Sequence, residues 1–207
     1  MKLKICGLKY PPNIAAVAAL VPDYLGFIFY PKSLRFVDNL QPITLEKLPQ
    51  NIEKVGVFVD ETADNILQIA NQFGFRNLQL HGTESPAFCA KLKEKGYNIF
   101  KAFHIENQAD IQKLASYQTS IDFALLDTKG KQLGGNGISF DWNLLQFYDF
   151  ETPFLLSGGI SLENIAEVLQ IKHPKLYGID VNSKFELEAG LKNIEKLTAL
   201  LHVLAGA

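Results

Sequence analysis

Residues 154–170 read FLLSGGISLENIAEVLQ. A short apolar run, Phe154–Leu156, suits a buried strand. It stops at Ser157-Gly158-Gly159, where glycine lets the backbone turn sharply, and a helix-like segment capped by Ser161 follows. A strand that turns at once into a helix is one half of a repeating α/β unit, so the fold depends on how often the pattern recurs.

It recurs along the whole chain. Further β-rich runs begin near Lys2 (KLKIC), Tyr24 (YLGFIF), Lys54 (KVGVFV), Leu78 (LQLH), Asn98 (NIFKAF), Phe123 (FALLD) and Leu176 (LYGIDV). With Phe154 this gives about eight runs at roughly 25-residue spacing, as a repeated supersecondary unit produces. Most are apolar on both faces, which fits parallel strands covered by helices. The intervening segments carry helix ends: Thr62 and Gly74 around TADNILQIANQFG, and Ser85, Pro86 and Gly96 around SPAFCAKLKEKG. QPITLEKLP is short, and AGLKNIEKLTALLHVL ends the chain as an amphipathic helix. No linker or low-complexity tract interrupts residues 1–207. The pattern predicts one α/β domain, a (β/α)8 TIM barrel. A doubly wound open sheet is the alternative, and it gives no reason for the number eight.

Composition narrows the function classes. The chain has 207 residues, 47% hydrophobic and 20% charged, with 20 basic against 22 acidic side chains. A formal charge of −2 with no basic stripe argues against nucleic acid as a partner, and an anionic ligand must be held by local groups. Two cysteines, Cys6 and Cys89, make no disulfide framework, and no apolar run approaches bilayer length. The expectation is a cytoplasmic protein that contacts neither membrane nor nucleic acid.

In this barrel the active site lies at the C-terminal ends of the strands. The residues there are Cys6-Gly7, then Lys32, Ser33 and Arg35, His81, Asp127, Ser157-Gly158-Gly159, and Asp180 with Asn182-Ser183. Gly158-Gly159 and Asn182-Ser183 follow strands 7 and 8, the usual place of a phosphate site in this fold. Arg35 offers a fork for a carboxylate. Asp127 and Cys6 end strands that face each other across the mouth, so a carboxyl and a thiol can act on two sides of one small molecule. Against this, cysteine is among the most buried residue types, and Cys6 could simply fill space, as Cys89 is expected to do in its helix. His81 reads as a structural group with acid or base chemistry as the alternative. His81, His104, His173 and His202 show no metal-ligand spacing, so no metal is expected. GGNG, residues 134–137, fits neither a dinucleotide nor a nucleotide phosphate loop; it reads as a flexible turn, with a mobile cover over the site as a second possibility.

Taken together, KICG, GFIFYPKSLRF, VGVFV, LQLHG, LLDTKG…GGNGISFDW, LSGGI…ENI and GIDVNS resemble the phosphoribosylanthranilate isomerase family of tryptophan biosynthesis over essentially the whole chain. The resemblance implies an Amadori rearrangement of a small phosphoribosyl substrate without cofactor or metal. It implies Cys6 as general base, Asp127 as general acid, Arg35 as the carboxylate ligand, and the Gly158-Gly159 and Asn182-Ser183 loops at phosphate. It is compatible with a monomer or a homodimer. The chain departs from the family where Lys184 replaces a glycine in the strand-8 loop, where its ammonium offers a substitute phosphate contact, and where Asn193 replaces a common aspartate. Rival readings are an indole-glycerol-phosphate synthase-like barrel using Lys4 or Lys101, an epimerase, or a phosphate-binding module on a retired barrel.

Overall fold

A computed structural model describes residues 1–128 and 141–206. Eight parallel strands close into a barrel in chain order, β1 next to β8. They are β1 Lys2–Ile5, β2 Tyr24–Ile28, β3 Glu53–Phe58, β4 Asn77–Leu80, β5 Asn98–Ile105, β6 Phe123–Thr128, β7 Phe154–Leu156 and β8 Leu176–Val181. The expected TIM barrel is the observed fold, and all eight runs identified from sequence are strands. The open sheet is excluded by closure of β1 on β8, with Leu3 opposite Ile179 and Ile5 opposite Val181.

Period-2 alternation divides each strand between two cores. Outward residues such as Leu25, Phe27 and Phe58 are fully buried under the helices. There Phe29, Phe58, Phe73 and Phe75 stack with ring centroids 5.2–5.8 Å apart. Truncating Phe58 or Phe75, both buried, costs about 3–5 kcal/mol on the usual scale for buried aromatics. Inward residues Tyr24, Val55, Phe100 and Leu155, with Phe123 and Tyr177 against them, fill the N-terminal half of the barrel. Phe100 stacks on Phe123 at 4.6 Å, and the Tyr24 and Tyr177 hydroxyls share a hydrogen bond of 2.9 Å. This plug leaves the C-terminal mouth as the end where inward side chains can meet a ligand.

The helices are α1 Pro11–Ala18, α2 Pro42–Glu46, α3 Ala63–Phe73, α4 Pro86–Lys93, α5 Gln108–Gln112, α6 Ile165–Gln170 and α7 Ile194–Ala205. Thr62 caps α3 by accepting from the Asn65 N–H, and Gly74 ends it in the left-handed region (φ 69°). Ser85 caps α4 in the same way. Two expectations change. Ser161 is not a side-chain cap: α6 begins at Ile165, and the intervening turn is held by the Ser161 N–H donating to Asn164 Oδ1 and Asn164 Nδ2 donating to the Gly159 carbonyl. The turn satisfies its own donors, so the helix starts a turn later. Between β6 and β7 the described residues form a 3-10 segment, Trp142–Phe147, rather than an α-helix. After β8 the chain adds a small hairpin, β9 Glu186–Glu188 with β10 Leu191–Lys192, that no sequence pattern announced. The GGNG segment lies outside the described residues.

Candidate active site

At the mouth a cleft opens between the strand ends. Cys6, Asp127, His81, Gly158, Gly159, Asn182, Ser183 and Lys184 all line it. Sequence reasoning thus placed one group of residues that the fold brings together; Gly7, Lys32 and Arg35 are not in the lining.

The Cys6 side is built from β8, β1 and β2. The Cys6 N–H donates to Val181, and Gly7 follows in the left-handed region (φ 78°). A Cβ on Gly7 would lie 2.6 Å from Asn182 Oδ1 and 2.7 Å from Arg35 Cδ, so only glycine fits. Gly26 on β2 makes the space for the thiol, since a Cβ there would lie 2.7 Å from Cys6 Sγ. Below the thiol, buried Lys4 donates to Asp180 Oδ1 at 2.9 Å. Ser157 donates to the other Asp180 oxygen at 3.4 Å. Buried Lys192, carried by the hairpin, donates to Asn182 Oδ1 and Glu186 Oε1, both at 2.7 Å. Glu186 is also gripped by Arg35, whose Nε and Nη2 donate at 3.0 and 2.6 Å, and by the Gly190 N–H.

Charge follows this wiring. Burial pushes the Cys6 thiol above its ordinary range, while the Lys4 and Lys192 ammonium groups pull against it. Burial opposes the charge on Lys4, yet Asp180 and Cys6 hold it above the usual lysine value. Lys192 is pushed down to about 8 by burial, with Glu186 compensating in part. Burial also opposes the charge on Glu186, but Arg35 and Lys192 keep it below the usual carboxylate value. The Arg35 fork, expected to face a ligand carboxylate, is engaged by a carboxylate of the chain itself.

The Asp127 side is built from β4, β5 and β6. Parallel register sets His104 beside Asp127, and the His81 N–H donates to Phe58, extending β4 to the same level. Asp127 Oδ1 accepts from the Thr128 N–H at 2.8 Å, and its Oδ2 lies 3.4 Å from His81 Nε2 without hydrogen-bond geometry. Gln79 Nε2 and His81 Nδ1 are 2.9 Å apart. Gly158 (φ 81°) is required here, because a Cβ would lie 2.6 Å from Asp127 Oδ1. His81 is therefore not the satisfied structural group that the sequence suggested.

Gln79, His104, Glu186 and Lys192 were missed as site residues. Gln79 and His104 carried a signal, since each is polar at an inward position of an otherwise apolar run. Glu186 and Lys192 carried none, because their hairpin has no β pattern. Lys4 and Lys101, the lysines of the synthase-like reading, are both buried and paired. Lys101 donates to the Leu80, Gly82 and Ala102 carbonyls and sits 3.2 Å from Glu84.

A sequence profile described as N-(5'-phosphoribosyl)anthranilate (PRA) isomerase matches residues 3–203. The chain is 45% identical over 201 residues to the N-(5'-phosphoribosyl)anthranilate isomerase of Parabacteroides distasonis, covering 95% of this chain and 90% of that one. It superposes on the crystal structure of phosphoribosyl anthranilate isomerase from Thermotoga maritima with a TM-score of 0.88 at 30% identity, over the full length of both. A structure of such an isomerase in complex with reduced 1-(o-carboxyphenylamino)-1-deoxyribulose 5-phosphate superposes with a TM-score of 0.85 at 29% identity, again over both whole chains. By profile, identity and fold alike, the chain belongs to the N-(5'-phosphoribosyl)anthranilate isomerase family.

Proposed function

We infer that this chain is the isomerase its family is named for, converting N-(5'-phosphoribosyl)anthranilate to 1-(o-carboxyphenylamino)-1-deoxyribulose 5-phosphate in tryptophan biosynthesis. The observation that carries the residue assignment is the pairing of Cys6 and Asp127 on opposite walls of one cleft. Asp127, protonated, gives its proton to the ribose ring oxygen as the C1'–O bond breaks, and the anthranilate nitrogen lone pair forms the iminium. That cation acidifies the C2' proton, which Cys6 removes as thiolate. The C2'–H electron pair forms the enolamine, and protonation at C1' with loss of the enol proton gives the ketone.

Each residue must be moved from its default state. A free aspartate near 3.9 is ionised at neutral pH, and a free thiol near 8.5 is mostly protonated. The Lys4 and Lys192 ammonium groups favour the thiolate that burial disfavours. On the opposite wall Asp127 is 6% exposed, so its carboxyl meets the substrate away from bulk water. Phosphate fits the end of the cleft formed by Gly158, Gly159, Asn182 and Ser183, where Lys184 adds an exposed ammonium. Arg35 as carboxylate ligand would share its guanidinium between substrate and Glu186, which holds Nε and one terminal nitrogen. Residues 1–207 act as one catalytic domain on this reading, a monomer or a homodimer; one of the related structures is of monomers generated from a dimeric Thermotoga maritima isomerase. Among the described residues no helix is long and apolar enough to cross a membrane.

Loss of anthranilate-type fluorescence on adding freshly made phosphoribosylanthranilate tests the function. Enzyme-dependent decay above spontaneous breakdown is expected. A folded protein that binds a product analogue without accelerating decay would replace the isomerase with a binding module.

A further inference from the structure

The wall around Asp127 contains a concentration of unmet bonding capacity. Six buried side-chain nitrogen and oxygen atoms lack a hydrogen-bond partner among the described residues, and four of them are Gln79 Oε1, His81 Nε2 and both ring nitrogens of His104. Each such atom costs about 1–3 kcal/mol when left unsatisfied, so their clustering calls for a common partner. The two histidine rings meet edge to face with centroids 5.4 Å apart. One ligand atom from each of His81, His104 and Asp127 lies within 4.8 Å of the other two.

We propose that His81, His104 and Asp127 form a binding site for a divalent transition-metal ion of the zinc class, and that the bound ion silences the isomerase by occupying the Asp127 carboxylate. Two imidazoles and a carboxylate are a familiar donor set for such ions. Ligands about 2.0–2.1 Å from a tetrahedral centre stand about 3.4 Å apart, and His81 Nε2 is already 3.4 Å from Asp127 Oδ2. His104 offers a ring nitrogen within 4.8 Å of the other two ligand atoms, and movement of its ring completes the set.

Gln79 supplies the outer partner. A ligating histidine donates its second ring N–H to an acceptor, which fixes the tautomer. Turning the Gln79 amide over, an assignment that hydrogen-bond logic alone decides, puts its unpartnered Oε1 against His81 Nδ1–H and leaves the His81 Nε2 lone pair for the metal. The ion then satisfies His81 Nε2 and a His104 nitrogen, while the reversed amide pairs Gln79 Oε1 and turns its NH2 to the place Oε1 vacates. The chain positions 79, 81, 104 and 127 show no metal spacing because adjacent strands, not a local motif, bring them together.

The inhibitory half of the proposal rests on Asp127 being the general acid; the metal site does not. The test is calorimetric titration of the purified protein with Zn²⁺, with Co²⁺ absorption as a second probe. Expected are one saturable equivalent, cobalt d–d bands without a sulfur-to-metal charge-transfer band, and binding weakened at least about tenfold in His104→Gln and in Gln79→Leu. Absence of saturable binding, or binding that survives His104→Gln and disappears in Cys6→Ser, overturns the site. Should His104→Gln not fold, the cobalt spectrum of the unaltered protein still decides between histidine and thiol ligation. Turnover should fall with Zn²⁺ occupancy and return with a chelator. A metal that binds through the histidines while turnover persists overturns inhibition and with it the acid role of Asp127, leaving the site standing.

Discussion

The two walls of the barrel mouth solve opposite electrostatic problems. On the Cys6 wall, Lys4, Asp180, Asn182, Lys192, Glu186 and Arg35 are joined in hydrogen bonds of 2.6–3.0 Å. On the Asp127 wall, Gln79, His81 and His104 leave four buried polar atoms without partners among the described residues. A thiol that must lose its proton is surrounded by fixed charge, two ammonium groups among it. A carboxyl that acts as proton donor faces side chains with unmet hydrogen-bonding capacity. The ammonium groups of the Cys6 wall favour the thiolate against the burial that disfavours it, whereas the Asp127 wall keeps its polar atoms open to a ligand.

Removing either reacting group tests the contrast most severely. Cys6→Ser and Asp127→Asn are each expected to lower turnover by about 10²–10⁴-fold, the usual weight of a positioned acid or base, measured by decay of substrate fluorescence. Near-normal turnover by either variant would remove that residue from the mechanism. Gly158→Ala acts on the acid by geometry alone. The new methyl would lie 2.6 Å from Asp127 Oδ1 on a backbone with φ 81°, so the carboxyl must move. A shift of about 1 Å in a catalytic group costs on the order of 10²-fold, and the loss should appear in kcat more than in KM. Equal loss in both would mean that the loop binds substrate without positioning Asp127.

The Cys6 wall can be weakened without touching the thiol. Because burial holds the Cys6 thiol above its ordinary range, the thiolate is scarce at neutral pH and kcat/KM should rise with pH. The slope should approach tenfold per unit and flatten above pH 8, where Lys192, with its pKa pushed down to about 8, loses its charge. Lys192→Met removes that charge at every pH. The alkaline rise should then begin later, with activity at neutral pH about tenfold lower, roughly one pKa unit's worth. An unchanged profile would show that Lys192 serves the hairpin and not the thiol. Its loss also strips one partner from buried Glu186, so urea unfolding should show destabilisation toward the low end of about 3–5 kcal/mol, Arg35 remaining in place.

The two walls were unequally legible in the sequence. Eight apolar runs separated by capped segments determine a closed barrel because period-2 burial and helix caps are local properties. Cys6 and Asp127 end such runs, so their place at the mouth followed from the strand count. The Lys192–Glu186 pair lies in a hairpin of five strand residues with mixed burial, too short and irregular for alternation to register. The engagement of Arg35 by Glu186 spans 151 positions, and no one-dimensional pattern reports it. His104 and Gln79 were visible as polar residues on inward positions, but their meeting depends on the register between β4, β5 and β6. Ser161 misled because a serine before an apolar segment is also what a self-satisfied turn looks like.

The smallest expected effect probes the acid wall most finely. As drawn, Gln79 Nε2 donates to His81 Nδ1, which places the neutral ring's proton on Nε2, facing Asp127 Oδ2 at 3.4 Å. An N–H directed at that oxygen favours the carboxylate, whereas the reversed amide gives His81 an Nε2 lone pair that accepts from the protonated acid. The second arrangement suits an Asp127 that must carry a proton; it pairs Gln79 Oε1 and turns the amide NH2 outward in its place. Gln79→Leu removes the choice. The imidazole is then free to take either tautomer, and turnover should fall by a few fold, below the tenfold of about 1.4 kcal/mol. Nitrogen NMR of the His81 ring reports the tautomer directly: Nδ1–H in the unaltered protein and a mixture in the variant are expected. Nε2–H in both would leave Asp127 opposed by a donor, and the neutral-wall half of the contrast would fail.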